Sequence, residues 1–495
     1  MMIANHGLRL CLAPLAALLL AAAPVETPRF ESQLAAAAAL VDANKTDDAL
    51  AILDAMRAGT ELPLERGQID GLRSFALARA NRIREARQAI EAGVASSPSP
   101  SLLLLRQLFL LRAFDGDPKG AGDALLLIAA TDPKGLNTLP TDIVNDVVRA
   151  SRSNDDRAFE LDYALVTAGW SPPDATLADL DWLRVRLATG LVRRDRLDDA
   201  RPIVAAVRNP VALVRLGIDR RFAVLWPEIE ARLGPGADVA DAAYVDAAKA
   251  RFDKAPDSLI ARMGYAEALN IASREPEAIA VVDVAKSPDD LAKLADREVW
   301  LVNLQAQLLG DAGQTDAAHA RLAALNATPI AGRSGMLGTM ISEVLLAQKL
   351  GRADKTLTLA DAIRPKLPAT SDFGRLYIDQ ARACALADLG RKDEAATAAA
   401  ALIAAPTAND DAYLAAMICL GRNDAAAATI IRRLADPADR AGMLFDLQPF
   451  LINDRAGAMD AKGRAGLRAL KSRPDVKAAY LKAGRDLPAA IAPPR

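Results

Sequence analysis

The sequence predicts an all-α protein, built as an array of about ten or eleven antiparallel helical hairpins with a C-terminal helical cap. A small residue followed by a proline recurs at intervals of about 38 residues, a period typical of repeat arrays. Alanine dominates an apolar content of 52%, whereas aromatic residues contribute 4%, and this composition favours closely packed helices. We find no sustained apolar–polar alternation of the kind that predicts strands. The recurring pairs are Ala49/Pro63, Ala86/Pro98, Ala121/Pro133, Ala158/Pro172, Ala200/Pro210, Ala278/Pro288, Ala318/Pro329, Thr356/Pro368, Ala395/Pro406 and Ala426/Pro437.

The segment 377–406 shows how the pattern specifies one hairpin. Its first helix is predicted to end at Gly390, since glycine tolerates the left-handed conformation that terminates helices. A second helix follows, with Ala395 and Leu402 on its buried face. Pro406 prevents this helix from continuing. The short connection makes the two helices antiparallel.

The same corner recurs in other hairpins, with Asn or Asp replacing glycine toward the N-terminus. Asn and Asp also tolerate the left-handed region, so the replacement follows a physical rule. The equivalent corner residues are Asn44, Asn81, Asp195, Gly313, Gly351 and Gly421.

This pattern resembles the tetratricopeptide repeat family in a degenerate form. The matching residues are Ala383, Gly390, Ala395 and Pro406 in one unit, and Ala306, Gly313, Ala318 and Pro329 in another. The resemblance implies a right-handed α-solenoid over 31–437, followed by capping helices and a frayed tail over 438–495. It also implies that the first helix of each hairpin faces a concave, ligand-binding groove.

The N-terminus predicts an export signal. Arg9 precedes a short apolar run, 10–23, that ends in small residues. We therefore expect a signal peptide over 1–23, a linker over 24–30, and a periplasmic protein without a membrane span after cleavage. An uncleaved N-terminal anchor is the alternative.

The charges are balanced, with 61 Lys+Arg against 63 Asp+Glu, which predicts no nucleic-acid partner. The chain has two histidines, His6 in the signal segment and His319, so chemistry that needs paired histidines is excluded. His319 is expected to face solvent. Acidic pairs such as Asp198/Asp199 are interpreted as helix caps. We expect no cofactor and no catalysis.

Cys384 and Cys419 lie on the first helices of successive hairpins. A disulfide requires Cα atoms within about 7 Å. Neighbouring helix axes lie about 8–10 Å apart, so two buried thiols are the favoured expectation and a bridge the alternative.

The function that these features predict is a scaffold that binds a protein or an extended peptide. By the resemblance, the partner-binding candidates on first helices are Arg79, Arg193, Asn303, Gln307, Lys349, Tyr377 and Gln380. One alternative is a periplasmic enzyme of the peptidoglycan-cleaving type, but the segment after the array is too short for a separate catalytic domain. Another is an assembly factor for envelope or polysaccharide machinery. The sequence leaves the partner and the oligomeric state open.

Overall fold

The computed structural model describes residues 28–330, 333, 335–367, 372–450 and 458–493. Within these ranges the regular secondary structure is helical, and β-type pairing is limited to an isolated bridge between Asp219 and Gly484. The chain divides into two compact units, the first ending at Ala175 and the second beginning at Thr176. The predicted signal, 1–23, lies outside the described residues.

From residue 28 onward, the described part of the first unit consists of four helical hairpins and two short 3-10 turns. Its α-helices are α1 (Pro28–Asp42), α2 (Thr46–Gly59), α3 (Pro63–Arg79), α4 (Ile83–Ser96), α5 (Leu102–Phe114), α6 (Pro118–Thr131), α7 (Thr141–Ala150) and α8 (Asp155–Thr167).

The second unit continues the succession of helices to the C-terminus. Its α-helices are α9 (Leu177–Val192), α10 (Leu197–Ala205), α11 (Pro210–Ile218), α12 (Trp226–Leu233), α13 (Asp238–Lys254), α14 (Leu259–Ile271), α15 (Glu275–Val282), α16 (Pro288–Lys293), α17 (Val299–Asp311), α18 (Thr315–Asn326), α19 (Gly335–Lys349), α20 (Ala353–Ile363), α21 (Asp372–Asp388), α22 (Lys392–Ala398), α23 (Ala400–Ala404), α24 (Asp410–Cys419), α25 (Asn423–Ala435), α26 (Arg440–Asp446), α27 (Ala458–Lys471) and α28 (Pro474–Ala483).

Successive helices pack as antiparallel hairpins, and the first helices of adjacent hairpins also contact each other. In the second unit α17 pairs with α18, α19 with α20, and α21 with α22, while α17, α19 and α21 pack side by side. This arrangement confirms the predicted all-α helical-repeat fold.

The corner residues adopt the backbone conformation that the sequence predicts. At Gly390, φ is 76°, and the next residue donates its backbone N–H to Leu386 O at 2.9 Å, which satisfies an end-of-helix carbonyl. The other corners have positive φ at Asn44, Asn81, Asp195, Gly313, Gly351 and Gly421.

The small residues that open the second helices are buried, because the two helices of a hairpin meet there. Ala318, Thr356 and Ala395 are each fully buried, at 0% exposure. Ala158 is half-buried and is the exception among the predicted positions that lie in described residues. A small side chain at these points lets the helix axes approach closely.

Apolar burial is serial in part of the chain. A cluster around Leu53 and Ile69 belongs to the first unit, and separate clusters in the second unit surround Leu269, Met336 and Val344. Serial burial of this kind is expected of a repeat array, where each hairpin covers its neighbour. A more extensive cluster in the second unit departs from this pattern, because it joins α11 and α12 to the C-terminal helices through residues such as Ile218 and Tyr480.

The C-terminal helices do more than cap the last hairpin, because they return to the beginning of the second unit. Arg485 donates from its backbone N–H to Ile218 O at 3.0 Å and from Nε to Gly217 O at 2.9 Å. Gly236 N–H donates to Ala490 O at 3.0 Å. The backbone groups of Arg485 and Ala490 thus have partners on α11 and on the turn after α12.

None of the described helices combines the length and the apolar character that crossing a membrane requires.

Candidate functional site

A cavity of about 530 Å³ lies in the second unit, where first helices α19, α21 and α24 face α26 and α27. Its volume falls in the range of small-molecule and peptide side-chain sites. We call it the first-helix cavity. It is lined by Leu345, Gln348, Lys349, Gln380, Asp411, Leu414, Ala415, Ile418, Cys419, Arg433, Phe445, Asp446, Asp460, Lys462, Gly463, Arg464 and Leu467.

Polar side chains from successive first helices come side by side along one wall of the cavity. Gln380 of α21 donates from Nε2 to Gln348 Oε1 of α19 at 3.1 Å. The next residue on α19, Lys349, places Nζ 2.6 Å from Asp311 Oδ1 at the end of α17. These contacts arise because hairpins stack in register, so residues one repeat apart become neighbours. Leucine and isoleucine side chains fill the space between them, which makes the wall amphipathic.

Ionic groups lie at the other end of the cavity. Arg433 of α25 is 7% exposed, and its Nη1 lies 2.8 Å from Asp411 Oδ1. Asp446, at the end of α26, lines the cavity close to Arg433. Desolvation by the surrounding cavity raises the pKa of the exposed Asp446 above its ordinary value, although Arg433 and Arg215 both favour the charged form. The cavity therefore combines a buried guanidinium with a carboxyl group that is protonated more readily than one in water.

Arg215 of α11 connects this ionic end to the beginning of the unit. Its guanidinium carbon lies 4.7 Å from the centroid of the Trp182 ring and 5.2 Å from that of Phe445. Cation–π contacts of this kind stabilise partly desolvated arginines. They fix the position of α26 beside the cavity.

Cys384 and Cys419 form a disulfide, so the favoured expectation of two buried thiols was wrong. Their Cα atoms lie 5.2 Å apart, closer than the usual separation of helix axes. The approach is possible because the facing surfaces of α21 and α24 are rich in buried alanines, among them Ala381 and Ala416. Cys419 also lines the cavity, so the disulfide joins two of the first helices that form its wall.

The predicted partner-binding residues fall into two groups. Lys349 and Gln380 come together on the wall of the first-helix cavity, where Lys349 is half-buried and Gln380 is 3% exposed. Tyr377, one turn before Gln380, is half-buried, and its ring meets that of the exposed Phe373 edge-on at 5.2 Å. Burial raises the pKa of the Tyr377 hydroxyl.

The other four candidates lie elsewhere. On α17, Gln307 is exposed, whereas Asn303 is 7% exposed and its buried Oδ1 has no hydrogen-bond partner among the described atoms. Arg193 is exposed at the end of α9. Arg79 belongs to the first unit, where its Nη1 lies 3.5 Å from Asp42 Oδ1. The structure thus gathers two of the seven candidates at one cavity.

His319 is buried, at 2% exposure, so the expectation that it faces solvent was wrong. Burial lowers its pKa to about 4, and Lys355 and Arg352 of the next hairpin act in the same direction. The neutral imidazole is a packing element of α18. Neither ring nitrogen has a hydrogen-bond partner among the described residues.

A second group of charged side chains joins α9, α14 and the start of α17. Asp179 caps α9 and also lies 3.0 Å from Arg297 Nη2. Glu267 of α14 is half-buried near this pair, and burial together with the Asp179 charge raises its pKa to about 7. Glu267 therefore changes protonation near neutral pH.

The sequence pattern did not predict the residues on the far side of the cavity. Helix α27, which supplies Lys462, Arg464 and Leu467, was not singled out because it lies outside the repeat period. Its apolar residues at 467 and 470 do fit helical spacing, which is the signal that was available. The cavity role of Arg433 and Asp446 depends on tertiary contacts that no local pattern reveals.

In sequence, the chain matches no protein-family model and no curated protein. In structure, it is similar to the pentatricopeptide repeat protein PPR10 from maize, with a TM-score of 0.36 and 13% identity, over 88% of this chain and 70% of that chain. It is also similar to a complex described as Naa15/Naa10 bound to HypK-THB, with a TM-score of 0.26 and 13% identity, over 92% of this chain and 79% of that chain. Likenesses at these scores carry no argument about function. The hairpins and corners of the chain itself define its class, which is an all-α helical-repeat fold.

Proposed function

We propose that the protein is an exported, periplasmic scaffold that binds a protein or an extended peptide through its first helices, without catalysis. The observation that carries the proposal is the first-helix cavity, where polar residues from successive repeats line one amphipathic wall. A peptide presents alternating backbone amides and side chains, and the paired amides of Gln348 and Gln380 beside apolar surface match that chemistry.

The disulfide supports the proposed export. Disulfides persist in oxidising compartments such as the bacterial periplasm and are rare in the cytosol. A bridge between Cys384 and Cys419 is therefore in keeping with the signal that the sequence predicts over 1–23. Fractionation of cells that produce the full chain tests this step. Recovery of a full-length precursor in the cytosol would contradict it.

Photo-crosslinking of the full chain tests partner binding. A benzophenone side chain at Lys349 is expected to form covalent adducts with a defined envelope protein, because this position lies on the cavity wall. The matched control carries the same group at the exposed Ala401 of α23, which lies on a second helix. Adducts of equal yield from both positions would show that the cavity is not the binding surface.

An enzyme is the second candidate, and one observation favours it. Asp446 is a cavity carboxyl group with a raised pKa, a property found in general acids. A zymogram with peptidoglycan, run for the native protein and for Asp446→Asn, separates the two functions. Clearing by the native chain that Asp446→Asn abolishes would replace the scaffold proposal. An assembly factor for envelope or polysaccharide machinery would differ from the proposed scaffold in its partner only, which the identity of the crosslinked protein reveals.

A further inference from the structure

Helix α27 forms one side of the first-helix cavity, opposite the wall of α19, α21 and α24. Asp460, Lys462, Gly463, Arg464 and Leu467 line the cavity from this side. The helix contacts α19 and α24, which are separated by a hairpin. It therefore lies across the surface that the proposed function assigns to the partner.

The packing of α27 is shallow along most of its length. Among its described side chains, 460–471, Leu470 alone is buried, at 3% exposure. The next helix, α28, is shorter but buries Val476, Tyr480 and Ala483. Buried apolar area is the main source of helix docking energy, so the cavity-lining part of α27 is held less firmly than α28.

The C-terminal end of α27 is firmly attached. Lys471 donates from Nζ to Leu447 O at 2.9 Å, and its ammonium lies 4.1 Å from the centroid of the Tyr480 ring. At the other end, Lys462 Nζ lies 3.4 Å from Asp388 Oδ1 in an exposed ion pair, a kind of contact that stabilises little. The attachment is therefore asymmetric, with the end near Leu470 held more firmly than the end over the cavity.

One close contact determines how near α27 lies to α24. A Cβ atom on Gly466 would lie 2.6 Å from Ile418 Cγ2, a distance that real side chains do not adopt. The absence of a side chain at Gly466 is thus what allows α27 to rest on α24. Gly463, one turn earlier on the same helix, would place a Cβ atom in open space.

We propose that α27 is a hinged lid, which pivots near Leu470 and opens to admit a partner to the first-helix cavity. This inference rests on the proposed function, because a lid has a role only where the cavity binds a partner. It concerns the motion of a helix of this chain, so it can be tested without any partner.

The test uses a reporter thiol in the cavity of the full-length protein. Leu345→Cys places a thiol on the wall opposite α27, in a Cys11→Ala background because Cys384 and Cys419 are already paired. The measured quantity is the rate of modification by a 5-kDa polyethylene glycol maleimide divided by the rate with N-ethylmaleimide. N-ethylmaleimide is small enough to enter the cavity with α27 in place, whereas the polymer coil is wider than the cavity and requires displacement of α27. The control reporter is Ala401→Cys, which is exposed on α23.

Gly466→Leu is expected to raise this ratio at Leu345→Cys at least about tenfold, since the new side chain collides with Ile418. Ala465→Leu is the control, because Ala465 is exposed on α27 and does not line the cavity, and it should leave the ratio within about twofold. Adding Ile418→Ala to Gly466→Leu should return the ratio toward the native value. A ratio that Gly466→Leu leaves unchanged would overturn the lid.

Amide hydrogen exchange of the native chain provides a second test, and this test requires no substitution. Amides over 462–467 are expected to exchange at least about 100-fold faster than those in the centre of α28. Equal protection of the two helices would overturn the inference. Failure of the crosslinking at Lys349 would instead refute the partner site and leave the measured motion of α27 as it stands.

Discussion

The disulfide between Cys384 and Cys419 offers the sharpest test of how the cavity wall is held. The two cysteines are 35 residues apart in sequence, and the bridge restricts the unfolded chain over that whole interval. The chain-entropy relation gives about 13 cal/mol/K for a loop of this length, or about 4 kcal/mol at 25 °C. Measured effects are often smaller, so we expect reduction to destabilise this region by about 2–4 kcal/mol.

The assay must resolve local stability, because long repeat arrays do not unfold in one step. Hydrogen exchange of α21 and α24 should accelerate about 30-fold or more on reduction, since each 1.4 kcal/mol corresponds to a factor of ten. Helices α3 and α5, in the other unit, should exchange at an unchanged rate.

The double variant Cys384→Ala/Cys419→Ala is the control. It should reproduce the exchange of the reduced protein and show no further response to reductant. If reduction leaves α21 and α24 as protected as before, the bridge does not hold the cavity wall, and the reasoning from loop entropy fails.

Three further predictions concern the second unit. Glu267 has its pKa raised from 4.5 to about 7, so its contribution to stability is lost as pH rises through 7. Glu267→Gln should therefore stabilise α14 at pH 8 by up to about 3 kcal/mol and have little effect at pH 4, as hydrogen exchange of α14 at both values would show. Arg485→Ala removes a guanidinium that lies 3.7 Å from the Trp226 ring centroid and donates to Gly217 O. It should destabilise α11 by about 2 kcal/mol, measured by hydrogen exchange, and a loss below about 0.5 kcal/mol would contradict the docked C-terminus. Gly390→Ala forces alanine into φ of 76° and should lower stability by about 1 kcal/mol, whereas Gly463→Ala, inside a helix with open space around it, should raise stability by a similar amount.

The helical hairpins could be predicted from the sequence because their determinants are local. A corner such as Asn81 or Gly421 needs only a residue that tolerates positive φ, and the small residue after it needs only a partner helix a few residues away. These rules apply within one repeat. The pattern therefore located the hairpins without knowledge of the rest of the chain.

Burial between hairpins could not be predicted in the same way. His319 follows a buried alanine and was assigned to the solvent side of its own hairpin, yet Arg352 and Lys355 of the next hairpin lie close enough to influence its pKa. The cysteine bridge was missed for a related reason. Average helix spacing does not apply where alanine-rich faces meet, as they do around Ala381 and Ala416.

The cavity could not be predicted because the segments that line it are distant in sequence. Lys349 of α19 and Lys462 of α27 both line it, although several helices lie between them in the chain, and no periodicity encodes that pairing. Lys349 and Gln380 were found because first-helix polar residues are the usual ligand contacts of tetratricopeptide-like repeats. Arg433, Asp446 and the whole of α27 were not, since they belong to the region where the repeat gives way to the C-terminal helices.

The return of the C-terminus to α11 and α12 bears on how a partner reaches the cavity. An open array can flex at each hairpin interface, and small rotations add up along its length. In the second unit the contacts of Arg485 and Gly236 tie its last residues to its first hairpins, so hairpin rotations are no longer independent. The disulfide further fixes α21 against α24. Neither the bridge nor the contacts of Arg485 and Gly236 involve the cavity-lining residues of α27, so in the proposed lid motion this helix controls access to the cavity.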